Sequence, residues 1–493
     1  MSKPRVIEKV KDVVLVVLFL STILLLYFFW SDMSFDEISL PSYEGATLET
    51  PALQDIMRPS QISVNFGGEN YTIVSSGNKD VWYNDKSDQE SILGELNRFG
   101  QTENILLEEI TPEKYEESMT YPSIWAEFDY HIPFVEFCKK YNINAPQSYN
   151  GIAYLTGLGY SEASSQSLLV YDGLNEKFYR LATDKDYTNF SKLIDSLELN
   201  YKPYYPISAY SAVANSTLIP LSIQGNLKSL PYKQESYPHQ SDKINNMAEK
   251  FFGENFDFVR TIKEENGTQI YMYGYGDKVL IANTNGSFEY RDRQPNQKSS
   301  SQGYFEALET ALQFVTSHGS WHSLEGSEMT PYLKDVIINP RGERGYRFIF
   351  GMEVNGARLH YDNTEILVVD VILGQVTNYY RNMIDLDQEE LKNVETSPPE
   401  GGYSAVNLLA QNYRHIHNIM ADNVEEITKG IADAKAFEEV ALNIEKMETG
   451  YLRTTSEEGN HEIQPAWVVT ARDMDIYFNL HSGEPMGYTV KNQ

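Results

Sequence analysis

Ser241-Asp-Lys-Ile-Asn-Asn-Met-Ala-Glu-Lys-Phe-Phe252 is followed by Gln269-Ile-Tyr-Met-Tyr273, Val279-Leu-Ile-Ala282 and Phe288-Glu-Tyr290. The first run reads as a helix, and the three short β-branched and aromatic runs read as strands. Gly274-Tyr-Gly276 stands between two strand-like runs, so it reads as a hairpin and not as a phosphate loop, which belongs at a strand-to-helix turn. The pattern recurs downstream. Phe305, Leu308, Leu312 and Val315 mark one helical face, then strands at Tyr346–Val354 and Ile366–Ile372 turn at Gly374 into Tyr379-Tyr380. A third copy places Phe437, Val440, Ile444 and Met447 on a helix, with strands at Pro465–Thr470 and Asp475–Asn479 turning at Gly483. Helix plus antiparallel meander, repeated, is an α+β pattern.

Upstream, Ile62-Ser-Val-Asn-Phe66, Gly67-Gly68 and Tyr71-Thr-Ile-Val74 form a hairpin signal. A helix is expected over Ser87 to Phe99, with Ile92, Leu93 and Leu96 on one side. Strands follow at Ser123–Phe128 and Ser167–Tyr171, and a helix at Asn189–Leu197. The expected organisation is an extended stalk at 31–60, where Pro41, Pro51 and Pro59 fall. An N-terminal α+β domain at 61–205, a central one at 206–300 and a C-terminal one at 301–493 follow.

Val13 to Trp30 carries no charged side chain. At about 1.5 Å per residue it would make about 27 Å of helix, enough to cross a bilayer core. Lys3, Arg5, Lys9 and Lys11 precede it, which keeps residues 1–12 cytoplasmic and the bulk of the chain extracytoplasmic. Lys9, Lys11, Tyr27 and Trp30 are the expected interface anchors. No small-x-small cleavage site follows, so the segment reads as a single-pass anchor in the cell membrane. Ser21 and Thr22 are its only small polar residues, and small residues let membrane helices approach closely; they are the expected helix–helix contact.

The chain carries 40 basic and 70 acidic residues, a net charge of −30. So acidic a surface repels polyanions and argues against nucleic-acid binding. Cys138 is the single cysteine, so no internal disulfide forms; in Pro133-Phe-Val-Glu-Phe-Cys138 it reads as a small buried hydrophobe. Sequons stand at Asn70, Asn189, Asn215, Asn266 and Asn285. His318 and His322, and His415 and His417, do not have the spacing or company of a metal site, so no metal is expected. Gly157-Leu-Gly-Tyr-Ser161 has the wrong spacing for a nucleophile elbow. Neither an enzyme nor a cofactor is expected. The 35 tyrosines would suit a glycan-binding or wall-processing ectodomain if exposed, and ordinary amphipathic strands if not.

The order of these segments resembles the YycH family. Ile56-Met-Arg-Pro-Ser-Gln-Ile-Ser-Val64 is similar to that family's opening strand, and Phe128-Asp-Tyr-His-Ile-Pro133 to its Phe-x-x-x-Ile-Pro step. Phe258-Val-Arg-Thr-Ile262, Gly267-Thr-Gln-Ile-Tyr271 and Gly286-Ser-Phe-Glu-Tyr290 resemble its central meander. Phe314-Val315 with Gly319-Ser-Trp321, and Val376 to Arg381, resemble its third domain; Pro465-Ala-Trp467 resembles its C-terminal end. The resemblance implies an extracytoplasmic, membrane-anchored, non-catalytic regulator of a WalK/YycG-type sensor histidine kinase in low-GC Gram-positive bacteria. It also implies action beside a YycI-like regulator, which the central and C-terminal domains of the family resemble. This chain is longer than that pattern, with extra length expected in 31–55 and 383–435.

Overall fold

The computed structural model describes residues 50–491, apart from 75–78, 85–90, 103–104, 145–150, 185–187, 199–200, 222–226, 235–240, 294–301, 323–328, 388–390, 392–401 and 456–460. The segment Val13–Trp30 lies outside the described residues. Among those described, no helix is long and apolar enough to cross a membrane.

Two mixed α+β layers share one apolar core that runs from Ile56 to Leu480. The first sheet holds β1 Gln61–Asn65, β2 Tyr71–Val74, β3 Leu106–Ile110, β4 Ser123–Pro133, β5 Tyr154–Ser161, β6 Ser167–Asp172, β7 Lys177–Ala182, β8 Tyr204–Pro206 and β9 Leu218–Pro220. Its order is β3-β7-β6-β5-β4-β1-β2-β8-β9. The β1–β2 turn uses Gly67 and Gly68 at φ 105° and 68°, where a side chain would be strained. On β4, Ile124, Ala126, Phe128, Tyr130 and Ile132 alternate into the core. Ser91 caps the helix Ile92–Gly100 by accepting from the Gly94 amide at 3.3 Å, and Ile92, Leu93 and Leu96 are buried as the spacing implied.

The second sheet begins with β10 Leu230–Gln234, and the helix Ser241–Phe252 then leads into β11 Arg260–Lys263, β12 Gln269–Tyr273, β13 Lys278–Ala282 and β14 Phe288–Asp292. After the helix Tyr304–His318 come β15 Thr330–Ile338, β16 Gly345–Val354, β17 Ala357–Tyr361, β18 Leu367–Ile372, β19 Gln375–Arg381 and β20 Ile384–Leu386. The helices Ala405–Asn423 and Asp433–Asn443 precede β21 Ile444–Thr455, β22 His461–Ala471, β23 Met474–Asn479 and β24 Pro485–Val490. Among the described residues, three helix-plus-meander units together with β10 form one 15-stranded sheet. The first two join through β14 against β19, antiparallel; the last two join through β17 against β21, the two strands running parallel.

Two expectations need correction. Ile444 and Met447 do not extend a helix: the helix ends at Asn443 and both residues belong to β21. A register shift between Ile444 and Lys446 turns both side chains inward, so a bulged strand mimics a spacing of three. Nor does an extended stalk reach residue 60. Leu53–Ile56 is a helical turn, Ile56 and Met57 are fully buried, and the Ser60 amide donates to the Glu127 carbonyl at 2.7 Å.

Candidate functional site

Charged side chains meet where the first sheet lies against the second. On β17, Leu359 and Tyr361 face the core, so Arg358 and His360 point the other way. On β21 the same alternation turns Lys446 and Glu448 away from Met447 and Tyr451. The parallel register sets Arg358 opposite Gly450. A Cβ there would stand 2.8 Å from the Arg358 carbonyl oxygen, so glycine permits the close approach. From the first sheet, β4 contributes Glu127 and Asp129, on the face opposite its core side chains.

Arg358 is the hub. Its Nη1 lies 3.0 Å from Asp129 Oδ2 and 3.7 Å from Glu448 Oε1, and its Nη2 donates to the Ser60 carbonyl at 3.2 Å. Its guanidinium also stands over the Tyr332 ring, 4.9 Å from the centroid. Lys446 Nζ bridges Glu448 at 3.1 Å and Asp129 at 4.0 Å. Deeper in the seam Arg58 pairs with Glu353 at 2.5 Å, with side chains only 6% and 2% exposed.

These contacts set the protonation states. Burial works to raise the Asp129 carboxyl, but Lys446 and Arg358 override it and hold it well below the usual range. Glu448 is lowered against the same burial cost by the same two cations. Glu127 goes the opposite way: protein crowding and the repulsion of Asp129 push it up to about 7, with Lys446 opposing. Burial pushes the His360 imidazole down to about 4, so it is neutral. One carboxyl that titrates near neutrality therefore sits among fixed charges that tie two sheets together. The arrangement is a set of paired charges that links the first sheet to the second.

Two further ties cross the same boundary. The Glu136 carboxylate accepts from the Tyr304 amide at 2.6 Å and so caps the helix Tyr304–His318 from the other layer. Asn215 Nδ2 donates to the Ala441 and Ile444 carbonyls at 2.7 and 2.8 Å, which leaves that sequon nitrogen committed to structure.

The side chains singled out from sequence fall elsewhere. Lys9, Lys11, Ser21, Thr22, Tyr27 and Trp30 lie outside the described residues. Cys138 is buried, and desolvation pushes its thiol up to about 12, far from a reactive thiolate. His318 stacks on Phe314 at 3.9 Å and bonds its carbonyl, while His417 pairs with Glu439 at 3.0 Å and His415 lies against Phe478. Among the described residues, no three His, Cys, Asp or Glu side chains converge as a metal site would. Tyr130, Tyr160, Tyr271, Tyr304, Tyr379 and Tyr451 rank among the largest fully buried side chains, which places them in the amphipathic-strand and helix role.

No family model and no curated protein sequence matches the chain. Solved structures do. YycH from Bacillus subtilis superposes with a TM-score of 0.50 at 11% identity, over 86% of this chain and 96% of that one. An uncharacterized protein from Eubacterium rectale aligns with 56% of this chain and 86% of its own length, at 13% identity and a TM-score of 0.32. The Bacillus megaterium YpeB C-terminal domain aligns with 52% of this chain and 98% of its own, at 11% identity and 0.26. The chain thus has the fold of YycH, as the order of its segments implied.

Proposed function

We propose that this chain is a membrane-anchored, non-catalytic regulator of a sensor histidine kinase of the WalK/YycG type, working beside a YycI-like regulator. The observation that supports this most is the YycH fold, which extends over most of both chains. Val13–Trp30 is the anchor in this reading, with Ser21 and Thr22 on the face that meets the kinase's membrane helices. Such a contact acts only through its differential affinity for two kinase states. About 1.4 kcal/mol of difference changes their ratio tenfold. The extracytoplasmic layers set where that helix stands, and the charged seam is the joint between them.

Kinase autophosphorylation in membranes prepared with and without the chain tests the reading, and the direction of change gives the sign of regulation. Equal phosphorylation in the two preparations rejects it. A photoreactive residue at Ser21 is expected to capture a kinase helix; capture of lipid alone would remove the transmembrane route.

A further inference from the structure

Ile56-Met-Arg-Pro-Ser60 belongs to neither sheet, yet it grips both. Ile56 and Met57 are fully buried, and Arg58 is almost so. Toward the first sheet, the Ser60 amide and hydroxyl both donate to the Glu127 carbonyl of β4, at 2.7 and 3.0 Å. The Arg58 carbonyl accepts from the Tyr130 hydroxyl of the same strand at 3.3 Å. Toward the second sheet, Arg58 pairs with Glu353 of β16 and stands 5.9 Å from the centroid of the Tyr332 ring on β15. Arg358 of β17 donates to the Ser60 carbonyl at 3.2 Å. One short segment therefore touches β4 on one side and β15, β16 and β17 on the other. Its parts do not move independently. Pro59 fixes its own φ and confines Arg58 to extended backbone, so the Arg58 and Ser60 contacts are set together. Any shift that parts Arg58 from Glu353 strands two enclosed charges.

We propose that Ile56–Ser60 is a wedge that holds the two sheets in register and carries the position of the anchor-side chain into their packing. Along the sequence, the wedge follows the helical turn Leu53–Ile56 and precedes β1, which begins at Gln61. A pull or twist that arrives from the N-terminal side therefore meets the wedge before it meets any strand. Because the segment is bonded to both sheets, it cannot yield without loosening its hold on one of them. The reverse also holds, since a change in how the sheets meet moves the point where the N-terminal chain emerges. The coupling to the anchor rests on the anchored reading above; the wedge itself does not.

The test uses the full chain in bilayer nanodiscs with paired spin labels. The single native cysteine is buried, so labels go where cysteines are introduced. Leu174→Cys in a turn of the first sheet with Thr364→Cys in a turn of the second reports the distance between sheets. Thr284→Cys with Thr364→Cys lies within the second sheet and is the control. Ile56→Ala with Met57→Ala should broaden the distance distribution between sheets and leave the control narrow. An unchanged distribution between sheets overturns the wedge. Equal broadening of both pairs overturns it too, because the segment would then support the fold as a whole and not the junction. A flexible Gly-Ser linker inserted between Glu49 and Thr50 should leave both distributions as they are and abolish the chain's effect on kinase autophosphorylation. A linker variant that regulates as the parent does overturns the coupling while the wedge stands. A parent chain without effect on the kinase overturns the regulatory reading and the coupling together, and the label distances still decide the wedge.

Discussion

The seam and the outer edge of the first sheet use the same chemistry at opposite burial. At the edge, between β3 and β7, Lys177 lies 3.0 Å from Glu109 with side chains 47% and 55% exposed, and Arg180 pairs with Glu108 beside it. In the seam, Arg58 and Glu353 are almost wholly enclosed. Water screens the first kind of pair so well that its net value is close to nothing. The second kind has surrendered its hydration and depends on its partner, so loss of one member costs far more than the pair is worth. Ion pairs at the edge blunt an open strand against association; those in the seam fix how two layers meet.

The largest effect is therefore expected for Arg58→Leu, which takes the ion-pair partner away from the enclosed Glu353. Denaturant titration should show a loss of about 3–5 kcal/mol. Arg58→Leu with Glu353→Leu should recover most of it, since two apolar side chains remove the orphaned charge. If the double variant is as unstable as the single one, the pair is not the source of the cost.

Glu136→Ala ranks second, because it removes a cap supplied by one layer to a helix of the other. A loss of about 1–2 kcal/mol is expected by thermal melting. Gly303 packs so near this carboxylate that an ideal Cβ would lie 2.8 Å from Glu136 Oε2, so Gly303→Ala should reproduce part of the loss.

Much of the fold could be read from the chain, while the seam could not. Phe305, Leu308, Leu312 and Val315 are all buried on one helix, as their spacing implied, because a period of 3.6 is written within a few residues. Ile444 and Met447 misled because a bulge changes the apparent period of a strand. The parallel joint of β17 with β21 sets Arg358 opposite Gly450, some ninety residues away in sequence, and no local pattern encodes that pairing. Glu127 and Asp129 are two carboxylates among 70 acidic residues. Only a weak trace was present, the alternation of charge with large apolar residues along β4 and β17.

Glu127→Gln gives a smaller effect with a distinctive pH signature. Folding raises this carboxyl from 4.5 to about 7, so between those values the native state holds a proton that the unfolded chain has released. Stability then falls as pH climbs through that window and stays reduced above it. With its tip reached by solvent, the penalty is about 1 kcal/mol at alkaline pH, discounted for screening. Glu127→Gln should be more stable than the parent above pH 7 by about that amount, and its stability should change less between pH 5 and 7. Parallel stability curves for the two proteins would show that Glu127 does not sense the joint.

The smallest effect belongs to the edge. Lys177→Ala removes a pair whose members both stay hydrated when apart, so neither is left at a disadvantage. Lys177 loses the favourable pull of Glu109 but regains the freedom of a long side chain, and these nearly cancel. Denaturant titration should give the variant the same midpoint as the parent to within error, and added salt should erase any residual difference by shortening the screening length. Salt should leave the Arg58→Leu deficit largely in place, because an enclosed charge is beyond the reach of counterions. A loss at Lys177 comparable with that at Arg58 would mean that burial does not separate the two classes of pair, and that the seam has no special claim to hold the layers in register.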